Sequence, residues 1–340
     1  MQATPSYPDQ PVLVRAHRGA HVESVHRGSW VLVDGAGAVV AGAGDYQAPI
    51  FTRSAIKCLQ ALPLIESGAA ERFGVDAEGL ALAISSHNGE GVHVRVAGSM
   101  LAAAGYSEAN LLCGPQLPGD PRARTEWLET GAKASPMHNN CSGKHAGFLT
   151  LSRHLGVAPE RYLDPESETQ RAVRAAVSST TGLAEAELEF AIDGCSAPTW
   201  RLPLQAMATA FARVSTAGRL GAGRDAACAA MTAAAAEYPG HVAGEHRRLC
   251  TALLRASQGR LFPKIGAEGV YAVGLRGSDR AIACKIDDGG NRALHALVIH
   301  LCAQFGFLEE SELAALAAFR GDPLRNRAGL EVGRLEVLTP

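Results

Sequence analysis

Residues 262–288, FPKIGAEGVYAVGLRGSDRAIACKIDD, decide the fold. Two β-type runs stand in them, GVYAVGL from Gly269 and RAIACKIDD from Arg280. They follow a long stretch with no strand-like alternation, in which LPLQAMATAFARV, DAACAAMTAAAAEY and GEHRRLCTALLRAS read as helices rich in Ala and Leu. Strand patterning otherwise stands at the other end of the chain. Between Pro11 and Gly44 the runs PVLVRA, HVESVHRGSWVLVDG and AVVAGAG are broken by glycines and an Asp34-Gly35 turn signal, which predicts an antiparallel hairpin or meander. One more helical pattern, ALHALVIHLCAQF, follows the late strands.

The order is therefore strands and one helix, a helical block, then strands and a helix. It predicts an α+β fold in which the two chain ends build one antiparallel sheet flanked by helices. Residues 1–60 and 260–340 would form this discontinuous sheet lobe, and residues 61–259 a mainly helical lobe, with the active site in the cleft between them. Within the helical block, ELEFAID looks like a short strand. Asp164-Pro165-Glu166 predicts the start of a helix running to about Gly182, and Pro63 predicts a kink or an end in the first helix.

A chain of 340 residues that is 47% hydrophobic can bury a large core. Its 32 Lys and Arg nearly balance 34 Asp and Glu, with no long run of either sign, so neither nucleic acid nor an anionic membrane surface is an electrostatic partner. A small, nearly neutral ligand is expected. The eight cysteines show no C-x-x-C pair, and several sit in helical patterns as small hydrophobes, which favours a reducing compartment. MQATPSYPDQ has no basic region followed by an apolar run, and no segment is long and apolar enough to span a bilayer, so a cytoplasmic location is expected.

Chemistry enters at RSAIKCLQALPL, beginning at Arg53. Ser54 and Lys57 are three apart where an apolar helical pattern starts, so they share a face and the amine can take the hydroxyl's proton. Thr52 is expected to cap this helix. Lysine acts as a base near neutrality only if burial or a neighbouring cation lowers its pKa from about 10.4. Ser86 and Asn88, in SSHNGE, follow the apolar run LALAI; alone, such an S-x-N reads as a turn. Lys264 and Gly266 form K-x-G at a strand. In that order the three elements match those of penicillin-recognising serine enzymes. HNNCSGKH (138–145) and DGCS (193–196) are dense in small and polar residues, and their widely separated cysteines read by spacing alone as structural thiols more than as metal ligands.

RSAIKCLQALPL, SSHNGE, NNCSGKHAGFL, DGCSAPTW, FPKIGAEGVYAVGL and KIDDGGNRA together resemble the asparaginase II family, the type 3 L-asparaginases of the serine β-lactamase and glutaminase superfold. VESVHRG agrees, and the likeness spans nearly the whole chain. The resemblance implies a serine β-lactamase and penicillin-binding-protein-like fold and hydrolysis of L-asparagine to L-aspartate and ammonia. It also implies two catalytic pairs, Ser54 with Lys57 and Ser86 with Lys264. Substrate contacts would fall on Arg53, Asn88, His138, Asn139, Asp193 and Glu268, with Asp193 holding the α-amino group. Zinc (Zn2+) would be held by Cys141, Lys144 and Cys195, and the chain would form a homodimer. On this basis Ser54, deprotonated by Lys57, attacks the amide to form an acyl-enzyme, while Ser86 and Lys264 pass a proton to the departing ammonia. The competing readings are a glutaminase, a β-lactamase or D,D-peptidase, and a non-catalytic amino-acid sensor.

Overall fold

The computed structural model describes residues 9–339. The N-terminal MQATPSYP, read above for a leader, lies outside them. Strands β1 (Val12–Arg18), β2 (His21–Asp34) and β3 (Val39–Ala43) form the expected meander. Its second turn is held by Asp34, whose Oδ1 accepts the N–H groups of Ala36 and Ala38 at 2.9 Å each.

Short strands β4 (Pro49–Phe51), β5 (Glu189–Ile192) and β6 (Pro198–Pro203) make a separate sheet in the order β4-β6-β5. Strands β7 (Leu261–Gly266), β8 (Val270–Leu275), β9 (Arg280–Ile286), β10 (Leu324–Arg325) and β11 (Glu331–Val337) complete the main sheet. Its order is β10-β11-β1-β2-β9-β8-β7, with β3 also on β2, and its ladders are antiparallel. The two ends of the chain thus share one sheet, and the α+β reading holds.

The physical reason lies in β2. Its second half, Trp30 to Val33, is fully buried and uninterruptedly apolar, because β9 and β3 flank it and the helix Leu204–Val214 packs on it. Each such side chain contributes about 1.5–3 kcal/mol by leaving water. The helix Asn291–Gln304 packs against β9, β11 and β1, and Phe305 at its end meets Trp30 with ring centroids 5.6 Å apart.

Three local expectations are corrected. Pro63 does not end its helix, which runs Lys57–Glu66; the N–H of Ser67 closes on Pro63 O at 3.2 Å beyond it. The helix expected from Asp164 begins at Glu168, because Ser167 caps it by accepting Gln170 N–H, while Asp164 caps a tighter turn through Glu166 N–H at 2.9 Å. It does end at the left-handed Gly182. GEHRRLCTALLRAS is helical only over Leu249–Ala256; its first residues form a bent, non-helical strap. Strand β6 carries two prolines at its ends and β11 is polar, so neither showed a strand signal. Among the described residues no helix is long and apolar enough to cross a membrane.

Candidate active site

Three segments converge. A 3-10 turn, Arg53–Ile56, carries Ser54 and leads into the helix Lys57–Glu66. The loop Ser85 to Glu90 links the helices Ala77–Ala83 and Gly91–Ala103 and carries Ser86. Strand β7 carries Lys264. Thr52 does not cap the turn: its hydroxyl donates to Trp200 O at 3.0 Å and ties the turn to β6. Gly266 explains why K-x-G needs its glycine. A Cβ there would lie 2.8 Å from Thr52 O and 3.2 Å from Ala55 N, so only glycine lets β7 lie against the Ser54 turn.

Ser86 is the meeting point. Lys264 Nζ donates to its hydroxyl at 2.9 Å and Lys57 Nζ at 3.2 Å. Both lysines are about 1% exposed. The Ser86–Lys264 pair therefore stands as expected, but Lys57 reaches Ser86 instead of Ser54. The reason is direction: Lys57 opens the helix and its side chain runs inward, where Ser85 O (2.5 Å), Ser86 Oγ and Asn140 O (3.3 Å) accept from its three N–H groups. Ser54 is half-buried, and among the described residues its hydroxyl has no hydrogen-bond partner. Burial, and next the ammonium of Lys57, bring the Lys264 amine down to about 7. The lowered lysine is thus Lys264.

Around the Ser54 turn stand three non-glycine residues with left-handed backbones: Arg53 (φ 49°), Ser196 (φ 69°) and Glu268 (φ 58°). Such conformations cost about 1–3 kcal/mol each and persist where surroundings enforce them. Arg53 Nε donates to Asp193 Oδ1 at 2.6 Å, and its NH1 lies 3.9 Å from Glu268 Oε1, whose carboxylate is otherwise exposed. Lys285 holds Glu268 by donating to its carbonyl at 2.7 Å. Burial pushes the Asp193 carboxyl up, but the N–H of Gly194 and the Arg53 guanidinium outweigh it and hold it below the usual range.

The remaining expected contacts are placed differently. Asn88 Oδ1 accepts from Arg248 at 2.9 Å and its Nδ2 lies 3.4 Å from both Glu90 Oε1 and His246 O. Asn139 bonds Cys113 O, Gly114 O and Cys141 N–H. The polar atoms of both amides hold loops together. His138 packs its ring on Trp127, centroids 4.1 Å apart, with Nδ1 buried and unpartnered. Sequence reading missed Arg248, because the run containing it resembled a continuous helix; paired arginines ahead of an apolar stretch were the available signal.

Cys141, Lys144 and Cys195 also converge. The helix Ser142–Leu155 presents Lys144, whose Nζ lies 3.1 Å from Cys195 Sγ, and all three side chains are buried. The hydrogen bond from Cys195 pulls the Cys141 thiol well below its ordinary value, and the same bond, together with burial, raises Cys195. Burial lowers Lys144, but the sulfurs of Cys195 and Cys141 more than restore it, so it is an ammonium that must lose its proton before it binds a metal. Among the described residues no group of three or more His, Cys, Asp or Glu side chains is placed to hold a metal. The trio offers two sulfurs and a nitrogen, a donor set that zinc accepts. His145 follows along the helix, with its Nδ1 2.6 Å from Tyr162 OH and its buried Nε2 unpartnered.

Comparison with known proteins bears on the whole chain. Among solved structures, the chain is similar to Mglu in its native form in 4.3 M NaCl, at 11% identity and a TM-score of 0.36, covering 83% of this chain and 62% of that one. It is similar to Mglu in its tris and glutamate form at 12% identity and a TM-score of 0.37, covering 88% and 64%. The chain thus spans less than two thirds of those Mglu chains, and likeness at this level carries no argument. No curated protein matches. A family model described as L-asparaginase II does match, over residues 14–337, nearly the full length. By that match the chain, with its serines and buried lysines, belongs to the L-asparaginase II family.

Proposed function

We propose that this protein hydrolyses the side-chain amide of L-asparagine, with Ser54 as nucleophile. The observation that carries the reading is the Ser86 hydroxyl lying between two buried amines, one of them near 7. Two ammonium groups sharing one hydroxyl repel, so near neutrality Lys264 is free, in about half of the molecules, to accept a proton. Ser86 relays that proton: it receives one from Lys57 and hands its own to Lys264. Lys57, now neutral and one 3-10 turn after Ser54, turns from the acceptors it engages here and takes the proton of the Ser54 hydroxyl. Ser54 suits the attacking role because it is more exposed than Ser86 and, among the described residues, none engages its hydroxyl by a hydrogen bond. Its oxygen bonds the amide carbon, the C–N bond breaks, and the relayed proton leaves with ammonia. Water then cleaves the ester to aspartate.

Arg53, Asp193 and Glu268 supply opposite charges at the mouth of the site for the α-carboxylate and α-ammonium groups. Zinc, held by Cys141, Lys144 and Cys195, would add a fixed positive charge beside Asp193 that orients the substrate. Ammonia release from L-asparagine and L-glutamine tests the reading. Turnover of asparagine is expected, and loss of at least about 10³-fold in kcat for Ser54→Ala, as for a covalent nucleophile. Near-normal turnover in that variant removes Ser54 from the role; no ammonia from asparagine overturns the function.

A further inference from the structure

Ser86 can relay a proton only if its oxygen stays between two amines that approach from different elements, and beyond Ser85, whose carbonyl Lys57 holds, neither amine fixes the loop's backbone. The strap from Val242 to Arg248 does. Val242 O accepts Ser86 N–H at 3.0 Å. Glu245 N–H reaches Glu90 Oε1 at 3.0 Å. Gly244 (φ 118°) has room for no side chain, since a Cβ would lie 2.6 Å from both Asn88 Nδ2 and Glu90 Oε1. The strap thus lies flat on the loop.

Its last residue closes the arrangement. Arg248 NH2 donates to Ser86 O at 2.5 Å and its NH1 donates to Asn88 Oδ1 at 2.9 Å. One planar fork therefore grips the backbone of the relay serine and the side chain two residues on. The residue before it, Arg247, is exposed and left-handed at φ 55°, a strained turn that delivers Arg248 inward. Arg248 touches neither lysine nor the Ser54 hydroxyl by a hydrogen bond.

We propose that Arg248 is a positioning residue for the hydrolytic reaction, its guanidinium locking the Ser86–Asn88 segment so that the Ser86 hydroxyl sits between Lys57 and Lys264. The proposal rests on the relay given above. Lysine cannot substitute, because an ammonium lacks the two parallel donors of the fork. A loose relay serine loses alignment and leaves the mouth of the site untouched, so turnover falls while substrate affinity stays.

The test is steady-state asparagine hydrolysis by the full-length protein and its Arg248→Ala and Arg248→Lys variants, with melting temperatures and with added methylguanidinium. The expected result is a kcat about 100-fold lower in Arg248→Ala, the scale of an ångström of misplacement, with KM within about threefold of the parent. Methylguanidinium at millimolar concentration restores at least about tenfold of that loss in Arg248→Ala, and Arg248→Lys remains impaired. A kcat within about threefold of the parent in either variant overturns the proposal. So does a loss that appears mainly in KM. If Arg248→Ala does not fold, the kcat of Arg248→Lys decides. An unmutated protein without asparaginase activity defeats the functional reading instead, a separate outcome.

Discussion

At Lys264 the direction of the pKa shift makes a kinetic prediction. Protonated, this amine cannot accept from Ser86; its pKa is about 7, so kcat/KM should rise with pH up to about 7 and then level. Below it the rate should drop about tenfold per pH unit, readable from ammonia release between pH 5 and 9. A flat profile across pH 6–8 would remove Lys264 as the acceptor. The same shift has a thermodynamic sign. Between about 7 and the ordinary lysine value near 10.4 the unfolded chain binds a proton that the folded chain does not, so this group's contribution to stability rises with pH in that window and is constant below it. Lys264→Met should therefore abolish turnover yet stabilise the fold by about 0.5–2 kcal/mol at pH 7, seen as a higher melting temperature. The residue types of the site were legible from short motifs. The placement of Lys57 was not, because spacing along a helix start does not reveal that its side chain turns inward to three acceptors, nor does it show that a strap residue as distant as Arg248 grips the same loop.

Among elements, β7 and the Ser54 turn depend on Gly266. Gly266→Ala places a methyl 2.8 Å from Thr52 O, and backbone cannot yield cheaply there. The expected outcome is a loss of about 1–3 kcal/mol in stability and about 10–100-fold in kcat, checked by urea unfolding beside turnover. Wild-type behaviour in both would show that the strand and turn need not touch. The helices Glu168–Thr181 and Lys57–Glu66 illustrate what sequence withholds at this scale. In the first, Ser167 won the capping role from Asp164 because it alone stands where Gln170 N–H can be met. In the second, a proline six positions in is tolerated because packing on a buried face outweighs one missing hydrogen bond.

At the scale of the molecule, the sheet drawn from both chain ends was legible, since strand patterning occurs at the two ends with Ala-rich helices between. Strands β10 and β11 were hidden by their polarity, as expected of pairings at a sheet's solvated margin. The buried Cys141, Lys144 and Cys195 belong to the start of the helix Ser142–Leu155 and to the turn before β6, close to Asp193, and Cys141 also neighbours Lys57 of the relay. If zinc occupies them, chelation should raise KM by more than it lowers kcat, since no proton of the relay passes through that trio. Loss of kcat at saturating asparagine, with KM unchanged, would place the metal in the chemistry.

The pairing of β2 with β9 has a consequence for how the chain is made. Gly28 meets Ile286 and Asp34 meets Arg280, so a ribosome must deliver some 250 further residues before β2 finds its neighbour. Until then β3 is the strand paired along its apolar half. Such remote partnering slows folding and leaves a sticky nascent surface, so synthesis at low temperature or with abundant chaperones should raise the soluble yield.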